Sequence, residues 1–222
     1  MSVASSPARS KVLPTPLSAV GLAAAIDILT TRDRDLAEIV GQFGPPPLWD
    51  RRPGFATLLH IILEQQVSLG SAKAAFDRLR VAADPLTPAR FLTLTDEDLL
   101  AVGFSRQKAR YGRALAVAVD SGSLDLERLT DLDDEAIDRA LQSIPGVGPW
   151  TSAIYRMMVL GRPDVWPAGD IALASSVREV TGLAHRPDAI EMEEIGEAWR
   201  PWRSVAASLF WHAYLARRGR SD

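Results

Sequence analysis

The sequence predicts an all-α chain of about ten helices joined by short connections. Three observations predict it. Apolar residues recur at helical spacing along most of the chain. Proline and glycine clusters punctuate those runs. No stretch shows the period-two alternation that a half-buried strand needs.

The elements follow in order. Residues 1–16, MSVASSPARSKVLPTP, are rich in Ser, Ala and Pro and are expected to form a flexible tail; they hold no apolar h-region, so no secretory signal is expected. The richest apolar run, Leu17 to Leu29, is broken by Asp27 and is too short for a membrane span. Phe55, Leu58, Leu59, Ile62, Leu63 and Val67 form a stripe that predicts a buried helix face. Thr95 followed by Asp98 is a variant capping box opening a helix through Leu100. Ile137, Ala140, Leu141 and Ile144 repeat the helical spacing, as do Ala206, Leu209, Phe210 and Ala213. Breaks fall at Gly44–Pro47, Asp84-Pro85, Pro145-Gly146, Arg162-Pro163, Pro167–Gly169 and Arg186-Pro187. No internal repeat is evident.

Composition narrows the classes. A chain of 222 residues makes one large domain or two joined lobes and can bury about 70% of its unfolded surface. It has no cysteine, which excludes disulfides, thiolate metal sites and a cysteine-held iron–sulfur cluster. The three histidines, His60, His185 and His212, have no metal-ligand spacing and read as structural. The net charge of −3 argues against coating nucleic acid by bulk charge, yet the charge is unevenly placed. Arg106, Lys108, Arg110 and Arg113 lie in a stretch without acid, and Arg217, Arg218 and Arg220 close the chain. Acid collects from Asp120 to Asp138. The chain can therefore present a basic face, although scattered solvated helix faces explain such runs more often.

The most informative string is Leu141-Gln-Ser-Ile-Pro-Gly-Val-Gly-Pro-Trp-Thr-Ser152. One helix ends near Gln142 and another begins at about Pro149, a residue suited to a first turn because that N–H has no partner anyway. Gly146 and Gly148 allow tight backbone geometry between them. The hairpin N–H groups and the following helix start can then point at one anion, with DNA phosphate the obvious candidate. A bare GxG is weak and usually marks an ordinary helix–helix turn; the full string is far more specific. It resembles the helix–hairpin–helix motif of DNA repair and replication proteins. Farther on, Pro167-Ala-Gly-Asp170 precedes an apolar helical run. Read alone, Asp170 is an N-cap.

Together these strings resemble the helix–hairpin–helix DNA glycosylase superfamily. Ile61-Ile-Leu-Glu-Gln-Gln-Val-Ser68 and Trp199-Arg-Pro-Trp-Arg-Ser204 resemble strings of its AlkA-like DNA-3-methyladenine glycosylase II branch, in a short, all-helical form that begins almost at the helical core. The resemblance covers about residues 45–215. It implies two helical lobes with a cleft between them: 50–165 as the hairpin lobe, 17–49 plus 166–222 as the second. It implies a monofunctional glycosylase that removes alkylated bases of the 3-methyladenine type flipped out of duplex DNA. Asp170 is the catalytic residue by this resemblance, a role compatible with its helix N-terminus. Bifunctional members carry a lysine where this chain has Trp150, so no Schiff base and no strand cleavage are expected.

The remaining roles come from the same resemblance. Trp150 and Trp211 match aromatic pocket positions, although bulk alone would place each in the core. The family's pocket tyrosine is Ile154 here, which puts the range of lesions in doubt. Gln66 stands at the wedge position that fills the hole left by the base, and Gln65 is the second candidate for that wedge, the choice between them being open. Glu64 replaces a commonly small residue and is either a surface carboxylate or a neighbour of the cleft. Gly146, Gly148 and Thr151 match the phosphate-binding positions. The carbonyls of Gln142, Ile144 and Gly146 match those holding a monovalent cation; no other cofactor is implied. The expected partner is double-stranded DNA with alkylated bases, not a membrane, and the expected state is a cytoplasmic monomer, nucleoid-associated in a bacterium. Two alternatives stay open: a non-enzymatic protein that senses distorted DNA, and a glycosylase for another lesion.

Overall fold

The computed structural model describes residues 14–219. Residues 1–13 of the expected tail, and Arg220 of the C-terminal basic run, lie outside the described residues. Within them the chain is all-helical. The helices are α1 (Ala19–Arg32), α2 (Arg34–Phe43), α3 (Phe55–Glu64), α4 (Leu69–Ala82), α5 (Pro88–Leu92) and α6 (Asp96–Ala101). They continue with α7 (Arg106–Asp120), α8 (Asp134–Gln142), α9 (Pro149–Met158), α10 (Ile171–Thr181), α11 (Ala189–Gly196) and α12 (Arg203–Arg217). Short 3-10 turns cover Arg128–Asp131 and Glu197–Trp199. The count exceeds the expected ten because short segments such as the five-residue α5 carry too few turns to show a periodic stripe. No described helix is long and apolar enough to cross a membrane.

Local chemistry sets the helix starts. Ser18, Asp33, Ser68, Thr87, Thr95, Ser105, Asp133, Asp170 and Asp188 each accept a first-turn backbone N–H with the side chain. Thr95 and Asp98 form the expected capping box. The stripe on α3 is buried from Phe55 to Leu63, but it stops short of the expected Val67. The helix ends at Glu64, the backbone turns at Gln65 and Gln66, and Val67 is 46% exposed. Ala206, Leu209, Phe210 and Ala213 are fully buried on α12, as their spacing demands.

Packing forms two neighbourhoods around one continuous apolar core. In the first, α3 packs on α4, α7 and α9, α7 on α5 and α6, and α8 on α9. In the second, α12 packs on α10, α2 and α1, and α1 on α2. The end of the expected tail is anchored: the Leu17 N–H donates to the Gly161 carbonyl at 2.7 Å, and Arg162 donates to the Pro14 carbonyl at 3.2 Å.

Candidate active site

The hairpin is built from the inside out. Ile144 and Val147 are buried, and the Val147 N–H donates to the Ile144 carbonyl at 3.0 Å, closing the turn between α8 and α9. Gly146 has φ +89°, and a Cβ there would lie 2.1 Å from the Tyr111 ring of α7. Only glycine meets both conditions. Gly148 differs: its φ is −92° and a Cβ would meet nothing within 4 Å. It provides no side-chain cap, so no capping side chain takes up the first-turn N–H groups of α9.

The segment leading to Asp170 is held by the Trp199–Ser204 string. Trp199 packs against Trp166 and Phe210, and its indole N–H donates to Asp33, the cap of α2, at 2.8 Å. Arg203 Nε donates to Asp164 Oδ1 at 2.8 Å, and Arg200 Nη1 to Asp164 Oδ2 at 2.6 Å. Ser204 Oγ accepts the Val165 N–H at 2.9 Å and donates to the Arg162 carbonyl at 2.7 Å. These contacts fix residues 162–166 and so set where the chain delivers Asp170.

Asp170 caps α10: its Oδ1 accepts the Leu173 N–H at 2.7 Å. The same carboxylate also accepts two indole donors. Trp150 Nε1 lies 2.8 Å from Oδ2, and Trp211 Nε1 lies 3.1 Å from Oδ1. A carboxylate has about four acceptor sites, so one on Oδ2 remains for a reacting group. Three elements meet here: the start of α9, the cap of α10 and the middle of α12. Trp49, on the Pro-rich segment before α3, stands edge-on to Trp211 at 6.2 Å between ring centroids. Sequence reasoning missed Trp49; its sole signal is an aromatic residue beside three prolines.

The other expected site residues separate. Gln65, at the end of α3, turns inward, and its Nε2 donates to the Gly146 carbonyl and to Thr151 Oγ1, both at 2.8 Å. Gln66 has φ +57° and is exposed. The Thr151 hydroxyl, expected at a phosphate, is 1% exposed and occupied by Gln65; only the backbone N–H of Thr151 remains for an anion. Ile154, expected to line the base pocket, is 3% exposed inside the core, because its face of α9 packs inward. Glu64 is no surface carboxylate: it is 8% exposed and pairs with Arg51 at 3.0 Å.

Charge near the hairpin is selective. Lys108 Nζ donates to the Leu63 carbonyl at 2.6 Å, a cation at the end of α3 where the helix dipole favours one. Burial holds its ammonium below the ordinary lysine range. Arg113 donates to the Leu94 carbonyl and to Asp96. Arg106 and Arg110 stay exposed on the same helix. The C-terminal cations turn away: Arg217 and Arg218 both pair with Glu179. No cluster of His, Asp or Glu that could hold a metal occurs among the described residues.

A family model described as HhH-GPD superfamily base excision DNA repair protein matches residues 59–201, which contain α3, the hairpin and Asp170. The chain belongs to this superfamily. Within HhH-GPD proteins, it is 28% identical over 183 residues to DNA-3-methyladenine glycosylase 1 of Schizosaccharomyces pombe, covering 79% of each chain. It is 32% identical over 126 residues to the putative DNA-3-methyladenine glycosylase YfjP of Bacillus subtilis. That match covers 57% of this chain and 44% of the relative, so the chain spans less than half the length of this relative. Among HhH-GPD structures, a DNA-3-methyladenine glycosidase from Bacillus halodurans superposes with TM-score 0.73 at 28% identity, covering 88% of this chain and 91% of the other. The Schizosaccharomyces pombe 3-methyladenine DNA glycosylase Mag1, in complex with abasic DNA, gives 0.79 at 24% identity over 88% and 97%, a likeness of fold.

Proposed function

We propose that this chain is a monofunctional DNA glycosylase that starts base excision repair by hydrolysing the N-glycosidic bond of alkylated bases, of the 3-methyladenine type, flipped out of duplex DNA. The observation that carries the reading is the Asp170 carboxylate held by the indole N–H groups of Trp150 and Trp211. A protein that only binds DNA needs no such carboxylate. The names of the relatives support the same substrate class.

The chemistry follows from the charges. An N-alkylated purine carries positive charge, so its bond to C1′ breaks without strong protonation of the base. The bonding electron pair leaves with the base, which departs neutral, and the sugar gains oxocarbenium character. The ionised Asp170 stabilises that cation. Water then forms the new C–O bond at C1′, and its proton passes to the open acceptor site on Oδ2. The half-buried Trp150 indole beside the carboxylate offers a cationic base a cation–π surface, whereas Trp211 is buried and acts through its N–H. Gln66 fills the vacated place in the stack, and its amide can pair with the orphaned partner base. The backbone N–H groups at Gly148 and at the start of α9 grip phosphate.

Trp150 occupies the position of a lysine nucleophile, which supports hydrolysis over strand cleavage. A monovalent cation at the hairpin is part of the proposal. The donor set suits one, being three neutral carbonyls: Gln142, Ile144 and Gly146. The last two each accept one hydrogen bond and keep a second lone pair. When bound, the cation would add positive charge beside a phosphate.

Base release from methylated duplex DNA tests the reading. Wild type should release 3-methyladenine and leave intact abasic strands. Asp170→Asn should lose on the order of a thousandfold in excision, about 4 kcal/mol of transition-state stabilisation, with DNA binding kept. Release by neither protein, with tight lesion binding by both, would favour the damage-binding alternative.

A further inference from the structure

Gln66 is the one non-glycine residue with a positive φ among the described residues. Side chains rarely adopt that backbone region, and such a residue persists only when its surroundings over-determine it. Three contacts do so here. The Gln65 amide bridges to the Gly146 carbonyl and Thr151 Oγ1 of the hairpin, more than eighty positions away in sequence. Lys108 holds the Leu63 carbonyl just before the turn. Ser68 caps α4 just after it, its Oγ accepting the Ser71 N–H at 3.2 Å. The Gly146 carbonyl can only accept, so the nitrogen end of the Gln65 amide must face it. The short turn thus leaves Gln65 pointing into the hairpin and Gln66 pointing out of the protein.

We propose that Gln65 is a positioning residue: it locks the Gln66 turn to the hairpin, so that gripping phosphate and displacing the base are one rigid event. This rests on the glycosylase reading above and extends it to a residue that touches no substrate. A glutamine suits the task because one nitrogen supplies both donors. Glutamate at that position would set an acceptor against the Gly146 carbonyl.

The test compares Gln65→Met, Gln66→Ala and their double variant with wild type. Single-turnover excision is measured on a methylated purine placed opposite its complement and in a one-nucleotide bulge. In parallel, 2-aminopurine fluorescence beside a tetrahydrofuran abasic analogue reports unstacking without any chemistry. The expected result is that each single variant lowers the ratio of paired to bulged excision about tenfold, since only the paired lesion needs help out of the stack. The double variant should lower that ratio no further, because the two residues act as a unit, and the fluorescence rise should be lost in all three.

Equal losses on paired and bulged lesions would make Gln65 mere support for the hairpin and overturn the proposal. So would a wild-type fluorescence rise in Gln65→Met, or a double variant showing the product of the single losses. Thermal melting checks folding, and Gln65→Glu carries the same comparison if Gln65→Met fails to fold. Wild type that unstacks DNA but releases no base would sink the glycosylase reading, while the fluorescence arm still judges the lock.

Discussion

Three donors converge on the Asp170 carboxylate from three different helices, and two of them are indoles. Each indole N–H to a charged oxygen is worth about 1.5–3 kcal/mol when formed. Trp150→Phe keeps an aromatic wall but removes the donor to Oδ2. It should lower excision of a methylated base by about tenfold or more, measured in single-turnover assays, and lower the melting temperature by about 3–12 °C. His60 supplies a pH prediction. Its ring stacks on Phe76 at 4.2 Å, and burial holds its imidazole below the ordinary value of 6.5, with Arg51 and Lys73 lowering it and Glu64 and Asp77 raising it. The unfolded chain therefore takes up this proton first. The stabilisation is fully present above pH 6.5 and is lost as pH falls below it. Thermal melts at pH 7.5 and 5.5 should show a smaller drop in His60→Phe than in wild type. At this scale the sequence reveals local chemistry well. Asp170 as a cap and the two hairpin glycines are visible because their signals span a few residues. The indole donors are not, because Trp150 and Trp211 reach Asp170 only after α9 and α12 have packed.

The hairpin shows how two glycines in one element do different things. Gly146 needs its left-handed backbone and also lies against Tyr111, whereas Gly148 has ordinary φ and open space. Gly146→Ala should therefore destabilise the fold by about 1–3 kcal/mol, read as a fall in melting temperature. Gly148→Ala should melt within about 0.5 kcal/mol of wild type yet weaken DNA binding, because its methyl group stands where a phosphate would approach. Titration at two salt concentrations separates the two. The end of α3 shows the opposite case for legibility. Its apolar spacing runs on through Val67, yet the helix stops three residues earlier. Nothing in the spacing of Leu63 and Val67 encodes a turn set by Gly146 and Lys108, which lie far along the chain. The two-glycine hairpin was readable because it carries its own geometry; the Gln65–Gln66 turn borrows its geometry from elsewhere.

Across the whole molecule, Arg162 joins distant segments. It is 2% exposed and donates to the carbonyls of Pro14, Thr130 and Leu132, with Asp134 3.3 Å from its Nε. Arg162→Met should cost about 3 kcal/mol, since it strands several buried acceptors at once. At this chain length that is on the order of a 10 °C fall in melting temperature. The all-helical class was legible from periodicity, but this hub was not, because three of its partners are backbone carbonyls without side-chain signatures. The same unity has a further consequence. One apolar core runs unbroken beneath the hairpin, the Gln66 turn and the Asp170 cap. Among the described residues the three site elements therefore rest on common packing. In the proposed reaction part of the movement falls on the double helix, and bending a site can cost about 1–6 kcal/mol, depending on its sequence and stiffness. On that proposed reading the search for damage becomes a mechanical assay, answered where the stack yields.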